Sequence, residues 1–183
     1  MFELRVNDRV ALRLRDESHA RETYWLIKKN EDHLRPWMKW IDKVESVKDS
    51  IANIEANIEE WEMKIDLHLG IFRDEVMVGM ISLHDINYLD HKAYIGYWLD
   101  EDNLGRGIMT EAVRALIEYG YGELDLNRIE IRAGVENVKS CAIPQRLGFT
   151  KEGVIRGAEY VNGVFIDLAI YGLLRDEYRH IYY

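Results

Sequence analysis

The segment Gly105-Arg106-Gly107-Ile108-Met109-Thr110 decides how the chain folds. It follows the apolar run YIGYWL (94–99), which is typical of a buried strand, and it precedes a helical pattern. That helix is predicted to bury Met109, Ala112, Val113, Leu116 and Ile117. Glycines at a strand-to-helix turn allow a sharp bend and expose successive backbone N–H groups. Because a helix N-terminus adds about half a positive charge, the segment predicts a phosphate or pyrophosphate site, with Arg106 as a further cation.

The spacing of these glycines distinguishes the segment from the common nucleotide-binding loops. A dinucleotide-binding fold requires a third glycine, where this chain has Thr110, and its motif opens a parallel sheet. The pattern G-x-x-x-x-G-K-[ST] of a phosphate-binding P-loop is absent. Both nucleotide interpretations are therefore disfavoured. The alternative to anion binding is that the two glycines serve only the geometry of the turn.

Strand patterns lie on both sides of this helix. Residues 128–135 alternate between apolar and polar, so strand, helix and strand predict a right-handed parallel crossover. Upstream, residues 67–72, 76–84 and 93–99 predict an antiparallel meander. Near the C-terminus, Asn162-Gly163 predicts a hairpin with a type I′ turn. The chain is therefore expected to be a mixed α/β protein.

Two helices are predicted before the meander, after a strand that begins at Val10. The first follows Ser18 and ends near Asn30. The second begins with a capping box formed by Ser46 and Asp49. Its apolar face is predicted from steps of three and four residues and consists of Ile51, Ile54, Ile58, Trp61 and Ile65. The connection HLRPWMKW (33–40) between the two helices is predicted to be a loop.

The composition is that of an ordinary globular protein, with 48% hydrophobic and 31% charged residues in 183. This length predicts one domain over residues 1–183. The net charge of −9 repels phosphate backbones, which disfavours direct binding of nucleic acid and favours a cationic ligand. The lone Cys141 cannot form an intrachain disulfide, and the chain has neither an apolar signal core nor a membrane span of about 18 apolar residues. A cytoplasmic protein is therefore expected.

Two segments in this order resemble a known superfamily. The run from Trp98 to Ala112 resembles motif A of the GCN5-related N-acetyltransferases, the GNAT superfamily. Asn137, Ser140 and Leu147-Gly148-Phe149 resemble the motif B that follows it. Two core motifs in the right order make the resemblance specific for the superfamily.

A narrower resemblance points to one group of these enzymes. The segments GRGIMTEA (105–112), HLRPWMKW (33–40) and YVNG (160–163) look like those of the RimJ/RimL-type ribosomal-protein N-acetyltransferases. The likeness extends over residues 10–171.

The resemblance implies a GNAT-like acyl-CoA N-acyltransferase fold. Its mixed, mostly antiparallel twisted sheet splays open between strands 93–99 and 128–135, and helices cover both faces. Acetyl-CoA is the implied co-substrate, with its pyrophosphate on the backbone of residues 104–110 and its pantetheine arm along residues 98–100. Asn137 is expected to bond that arm from the opposite wall. The implied cofactor-binding residues are Trp98, Leu99, Asp100, Leu104, Gly105, Arg106, Gly107, Ile108, Met109, Thr110 and Asn137.

Three residues depart from the family pattern or from ordinary helix chemistry. Leu104 stands where Gln or Arg is usual, and Met109 stands where Gly or Ala is usual. Phosphate binding through backbone N–H groups tolerates both Leu104 and Met109, because their side chains are not the donors. Pro144 lies within the motif B helix, where an interior proline removes a hydrogen bond and costs about 3 kcal/mol or delays the helix start. It therefore predicts a disturbed helix around Ser140.

Direct attack of an amine on the thioester requires a neutral amine and a proton donor for the leaving thiolate. A protein α-amino group has a pKa of about 8 against about 10.4 for lysine, so the free α-amine is easier to present at neutral pH. The resemblance implies that Glu159 is the general base, and its alternative role is a charge on a strand edge. Ser140 is expected to donate a proton to the thiolate, and its alternative role is a helix N-cap.

Other candidate residues concern the acceptor. Trp37 and Trp40 are expected to line the acceptor groove, and His84 is expected to bind substrate or assist proton transfer. The six histidines lack a metal-binding spacing such as H-x-x-x-H, so no metal site is expected. Cys141 is interpreted as a small, partly buried thiol, since direct transfer needs no acyl-enzyme.

The leading functional hypothesis is acetyl transfer from acetyl-CoA to the N-terminal α-amine of a protein, of the ribosomal type. An acidic enzyme favours a basic protein N-terminus as partner. One alternative is acetylation of a small amine such as a polyamine or an aminoglycoside, and another is a non-catalytic acyl-CoA-binding module. Exposed edge strands and C-terminal tyrosines also favour a homo-oligomer.

Overall fold

A computed structural model describes residues 2–183, so that Met1 of the domain predicted over 1–183 lies outside the described residues. The strands are β1 (Glu3–Arg5), β2 (Val10–Leu14), β3 (Leu67–Arg73), β4 (Val76–Asn87), β5 (Lys92–Leu99), β6 (Arg128–Gly134), β7 (Thr150–Val161) and β8 (Val164–Leu174). The helices are α1 (Ala20–Lys29), α2 (Glu31–Leu34), α3 (Val47–Glu62), α4 (Ile108–Gly122), α5 (Val138–Arg146) and α6 (Arg175–Tyr182).

The eight strands form one sheet in the order β1-β2-β3-β4-β5-β6-β8-β7. Strands β1 to β5 are antiparallel neighbours, which confirms the predicted meander. Strand β5 then pairs parallel with β6 through the crossover helix α4, and β6 pairs antiparallel with β8. The mixed, mostly antiparallel sheet agrees with the predicted fold class.

Local sequence signals explain two of the element boundaries. Ser46 and Asp49 form the predicted capping box at the start of α3. The β7–β8 hairpin turns at Asn162 and Gly163, whose φ angles are 48° and 90°. Both angles are in the left-handed region that a type I′ turn requires, so the predicted turn is confirmed.

Helices cover both faces of the sheet because neighbouring residues of a strand point to opposite sides. On β4, Ile81 belongs to a large core cluster that includes Leu116 of α4. Its neighbour Met80 packs against a second cluster, in which Ile27 of α1 meets Trp98 of β5. Among residues 2–183, no helix is long and apolar enough to cross a membrane.

The centre of the sheet opens between β5 and β6. The two strands pair only from Lys92 with Arg128 to Ile95 with Ile131. Beyond this point β5 continues to Leu99 and has no partner on that side among the described residues, whereas β6 keeps its pairing with β8. The result is a V-shaped gap whose β5 wall has an unpaired backbone edge.

The structure corrects several predicted boundaries. Strand β1 and helix α6 were not predicted, and α2 occupies the start of the segment 33–40 that was predicted to be a loop. Ile65 was assigned to the apolar face of α3 but lies beyond its end, because the backbone turns left-handed at Lys64, where φ is 60°. The N–H of Ile65 then donates to the carbonyl of Glu60 over 2.9 Å and closes the helix.

Candidate active site

The V-shaped gap continues into one large cleft of about 1680 Å³. Its lining includes almost every residue that the sequence predicted for cofactor, acceptor or catalysis. These are Trp37, Trp40, His84, Trp98, Leu99, Leu104, Gly105, Arg106, Gly107, Ile108, Met109, Thr110, Asn137, Ser140 and Glu159. Asp100 is the predicted site residue that does not line the cleft. The fold therefore brings residues from five separate parts of the chain to one site.

The turn before α4 is built to receive an anion. Gly105 and Gly107 have φ angles of 73° and 76°, and a Cβ placed on either would meet nothing within 4 Å. The turn therefore needs glycine for its backbone conformation, and the space beside it is open. Within residues 2–183, the N–H groups from Gly105 to Thr110 donate no hydrogen bond to another residue. These open donors at a helix N-terminus suit a pyrophosphate.

Cations stand beside these donors. Arg106 is exposed within the turn, as the sequence predicted. Arg146, at the end of α5, also lines the cleft and donates from Nη2 to the Thr110 hydroxyl over 3.2 Å. The sequence analysis missed Arg146, because only the packing of α5 beside α4 places it there.

The β5 wall ends in a buried carboxylate. Trp98 and Leu99 are 6% exposed, and the Trp98 ring lies 6.4 Å from that of Trp40. Asp100 was predicted to contact the cofactor, but its N–H donates to the carbonyl of Val78 over 2.8 Å. Its carboxylate accepts from Lys29 at 2.8 Å and from side-chain amides behind the wall. Asp100 thus anchors the end of β5 instead of facing the cleft.

The electrostatics of Asp100 follow from this setting. Burial raises the pKa of the carboxyl, but hydrogen bonds from Lys29, Asn30 and Asn103 outweigh it and hold the pKa below its usual range. The group therefore stays ionised and fixes the start of the turn that leads to α4.

On the opposite wall, α5 presents motif B. Asn137 caps the helix, and its side-chain oxygen accepts from the Ser140 N–H over 3.2 Å. The alternative role of Ser140 as N-cap is therefore wrong. Cys141 is buried, 7% exposed, with Sγ 3.4 Å from the Gly134 carbonyl. The Ser140 hydroxyl lines the cleft and lies 3.4 Å from the Tyr97 hydroxyl.

Pro144 affects α5 through a lost hydrogen bond and not through a delayed helix start. Helix α5 runs through Pro144 without interruption. The carbonyl of Ser140, which lacks its usual helical partner, accepts a hydrogen bond from the Tyr97 hydroxyl over 3.0 Å. Burial raises the pKa of the Tyr97 phenol, so the hydroxyl keeps its proton and remains a donor.

Glu159 reaches the cleft from the β7–β8 hairpin. The register of β7 shifts between Ile155 and Glu159, which is a bulge that changes the direction of the following side chain. The Glu159 carboxylate lines the cleft and lies 3.3 Å from the Lys39 ammonium. Its placement is compatible with the predicted general base, because it faces the same space as the β5 edge.

Aromatic residues surround the acceptor end. Trp37 packs on Gly134 at the end of β6, where a Cβ would lie 3.1 Å from Cζ3 of the ring. The segment that bears Trp37 is held to the hairpin, since the Asn162 side-chain amide donates to the Arg35 carbonyl. Trp37 and Trp40 both line the cleft, and their role in an acceptor groove stays a prediction.

His84 lies further along the same end, on β4. Its Nδ1 is 2.9 Å from Oδ2 of Asp66, and the ring is edge-on to that of His68. Burial raises the pKa of Asp66, but the two histidines beside its carboxylate and the hydrogen bond from the Asp85 N–H outweigh this effect and hold the pKa well below its usual range.

Comparison with known proteins identifies the family that the sequence predicted. The family model described as "Acetyltransferase (GNAT) domain" matches residues 9–150. The ribosomal-protein-serine acetyltransferase of Escherichia coli (strain K12) is 31% identical over 173 residues, which are 94% of this chain and 97% of that protein.

Two solved structures have the same fold. One is RimL, a ribosomal L7/L12 alpha-N-protein acetyltransferase in complex with coenzyme A, with a TM-score of 0.93, 32% identity and coverage of 96% of this chain and 99% of that chain. The other is the microcin C7 self-immunity acetyltransferase MccE in complex with acetyl-CoA and AMP, with a TM-score of 0.88 and 36% identity. The match covers 92% of this chain and 94% of that chain. Both the family match and these likenesses cover most of the chain. The chain therefore belongs to the GNAT family and is an acetyl-CoA-dependent N-acetyltransferase.

Proposed function

We propose that this enzyme transfers the acetyl group of acetyl-CoA to the N-terminal α-amino group of a ribosomal protein. The observation that supports the proposal most directly is the position of Glu159, whose carboxylate faces the same cleft as the open N–H groups of Gly105 to Thr110. A base and an anion cradle in one cleft are what direct transfer from a thioester to an amine needs. The named activities of the E. coli relative and of RimL support the choice of acceptor.

The cofactor is held by backbone groups in this proposal. The N–H groups of residues 105–110 and the side chains of Arg106 and Arg146 bind the pyrophosphate, and the pantetheine arm lies along the unpaired β5 edge at Trp98 and Leu99. Asn137 faces the arm from α5. This arrangement fixes the thioester between β5 and β6, within reach of the acceptor end.

The chemistry proceeds by direct attack. Glu159 takes a proton from the ammonium form of the acceptor, directly or through a water molecule, and the neutral nitrogen attacks the thioester carbonyl carbon. Unpaired N–H groups of the β5 edge stabilise the oxyanion that develops. As the C–S bond breaks, the Ser140 hydroxyl gives its proton to the thiolate and regains one from the nitrogen of the tetrahedral intermediate, which thereby loses its second proton. Free CoA and the acetylated amine leave, and Glu159 returns its proton to solvent.

The acceptor end favours an extended chain terminus over a compact polycation. Trp37 and Trp40 narrow the approach, and the Lys39 ammonium stands beside Glu159. An α-amine with a pKa of about 8 needs less help to lose its proton than a lysine side chain with about 10.4. The net charge of −9 further favours a basic N-terminal segment. Such a substrate places the reaction in the cytoplasm.

The acceptor is tested by following release of the CoA thiol with three kinds of amine. These are ribosomal-protein N-terminal peptides, the same peptides with a blocked N-terminus and an internal lysine, and free polyamines or aminoglycosides. We expect turnover with the free N-terminus alone. Turnover with the small amines and none with peptides would show a small-molecule enzyme instead.

The role of Glu159 is tested with Glu159→Gln and with Glu55→Gln, an exposed position on α3, as the matched control. We expect the first to lower kcat by about 100-fold or more, because general base catalysis contributes a factor of this size. Binding of acetyl-CoA should stay unchanged in both. Equal activity of the two variants would remove Glu159 from the mechanism, and absence of any product with every acceptor would favour a non-catalytic acyl-CoA-binding module.

A further inference from the structure

A second group of polar side chains lies where α3 meets β3 and β4. Asp66 follows the end of α3, His68 lies on β3 and His84 lies on β4. One ligating atom from each residue lies within 4.8 Å of those from the other two. His68 and His84 line the same cleft as Glu159 and Ser140, but the acetyl transfer proposed above has no step on them.

The distances between these atoms match those of a metal coordination sphere. Oδ2 of Asp66 is 2.9 Å from Nδ1 of His84 and 3.5 Å from Nε2 of His68. Oε2 of Glu60, near the end of α3, is 3.1 Å from the same Nε2. Ligands held at about 2.0–2.2 Å from one zinc ion lie about 2.8–3.6 Å apart in tetrahedral or octahedral geometry.

The nitrogen of His68 at the centre of this group lacks a hydrogen bond. Its Nε2 is buried and has no hydrogen-bond partner within residues 2–183, although two carboxylate oxygens lie near it. A buried ring nitrogen between two carboxylate oxygens is an arrangement that a cation stabilises, because the cation accepts the lone pair of the ring and offsets the negative charge of the carboxylates.

Neighbouring groups hold the rings and the carboxylate in place. The other nitrogen of His68, Nδ1, lies 3.0 Å from the hydroxyl of Ser82, which is itself 6% exposed. The second oxygen of Asp66 accepts the N–H of Asp85 over 2.8 Å, which directs Oδ2 toward both histidines. Contacts of this kind behind the ligands are characteristic of metal-binding histidines and carboxylates.

We propose that Asp66, His68 and His84 bind one zinc ion and leave its fourth position to water. Two imidazole nitrogens and one carboxylate oxygen are a ligand set that zinc accepts, whereas magnesium and calcium prefer oxygen alone. The carboxylates of Asp66 and of nearby Glu60 also neutralise the double positive charge of the ion. The ion joins the segment after α3 to β3 and β4.

The proposal is tested on tag-free full-length protein that has been treated with a chelator and dialysed. Zinc chloride is titrated in a calorimeter, and cobalt(II) chloride is added to a second sample as a spectroscopic substitute. We expect one zinc ion per chain, a rise in Tm because zinc binds the folded state, and the strong visible absorption of tetrahedral cobalt. Magnesium chloride should produce none of these effects.

Variants connect the binding to the named residues. His68→Asn and Asp66→Asn should abolish the cobalt absorption, and Ser82→Ala should weaken zinc binding by about tenfold. His180→Asn, which changes an exposed histidine on α6, is the matched control and should bind zinc like the parent. Acetyl-CoA binding is measured on each sample as a control for folding. A variant that binds acetyl-CoA but not zinc has lost the metal site alone.

Two results would overturn the proposal. One is the absence of zinc binding by the parent protein, and the other is equal binding by the parent and by the folded Asp66→Asn and His68→Asn variants. Either result leaves the acetyltransferase proposal unaffected, because its test uses thiol release and not metal binding.

Discussion

The hydroxyl of Tyr97 donates to the backbone carbonyl of Ser140, across the gap between β5 and α5. In an uninterrupted helix this carbonyl would accept the N–H of the residue four positions later, but that residue is Pro144, which has no N–H. The strand therefore supplies the donor that the helix lacks. The position of Ser140 relative to the β5 edge is fixed by this one bond.

Replacement of Tyr97 by phenylalanine should destabilise the protein by about 1–3 kcal/mol. The change leaves the Ser140 carbonyl without a partner while keeping the ring in place. Thermal or urea unfolding measures the loss. Pro144→Ala restores an N–H at position 144, so the Tyr97→Phe change should cost about 1 kcal/mol less in that background. Additive effects of the two changes would show that the pair is not coupled.

Gly105→Ala and Gly107→Ala should weaken acetyl-CoA binding by about tenfold each, which equals about 1.4 kcal/mol. Both glycines have positive φ, and a non-glycine residue in this conformation costs about 1–2 kcal/mol. The matched control is Gly122→Ala, at the end of α4, where a Cβ also meets nothing within 4 Å. Calorimetric titration of the three variants provides the comparison, and unchanged affinity in the first two would contradict the proposed cradle.

Arg146→Gln should raise the Kd for acetyl-CoA by about tenfold or more, since a hydrogen bond to a charged group contributes about 1.5–3 kcal/mol. The parent should also lose more affinity than the variant as salt is added, because screening weakens an ionic contact. Titrations at two salt concentrations check both effects. Arg179→Gln, an exposed arginine of α6, is the control, and a loss of the same size there would indicate a general effect of charge.

Asp100→Asn should lower stability at neutral pH by about 1–3 kcal/mol, since the Lys29 ammonium loses its carboxylate partner. The pKa of Asp100 is lower in the folded protein than its ordinary value of about 3.9, so its ionised form stabilises the fold above that pH. This contribution is lost as the pH falls through the lower folded value. The difference between parent and variant, measured by urea unfolding, should therefore narrow below about pH 4. A constant difference would contradict the assignment.

Much of the fold was predictable because local signals and the final packing agree. The alternation in β4 and β5, the capping box at Ser46 and the turn at Asn162-Gly163 each depend on residues close in sequence. Strand β1, with three residues, and the polar helix α6 offer too short or too weak a pattern for such inference.

The part of the site that depends on local backbone geometry was predictable from the sequence. Contacts between residues that lie far apart in the sequence were not. Gly105 and Gly107, with the helix pattern that follows them, predicted the turn where we propose the anion cradle. In contrast, the approach of His68 to His84 arises from the β3–β4 register, in which His68 is paired with Ser82, two positions from His84. A rule based on spacing within one helix cannot find such a pair. The support that Tyr97 gives Ser140 likewise connects residues 43 apart.

The contact between Trp37 and Gly134 has an evolutionary and engineering consequence. Even an alanine at position 134 would press on the indole, so the two positions can diversify only together, with a larger residue at 134 matched by a smaller one at 37. Neither position belongs to the glycine turn that is proposed to bind the pyrophosphate. Under the proposed function, a paired library at 37 and 134 should therefore change acceptor preference and leave acetyl-CoA binding unchanged.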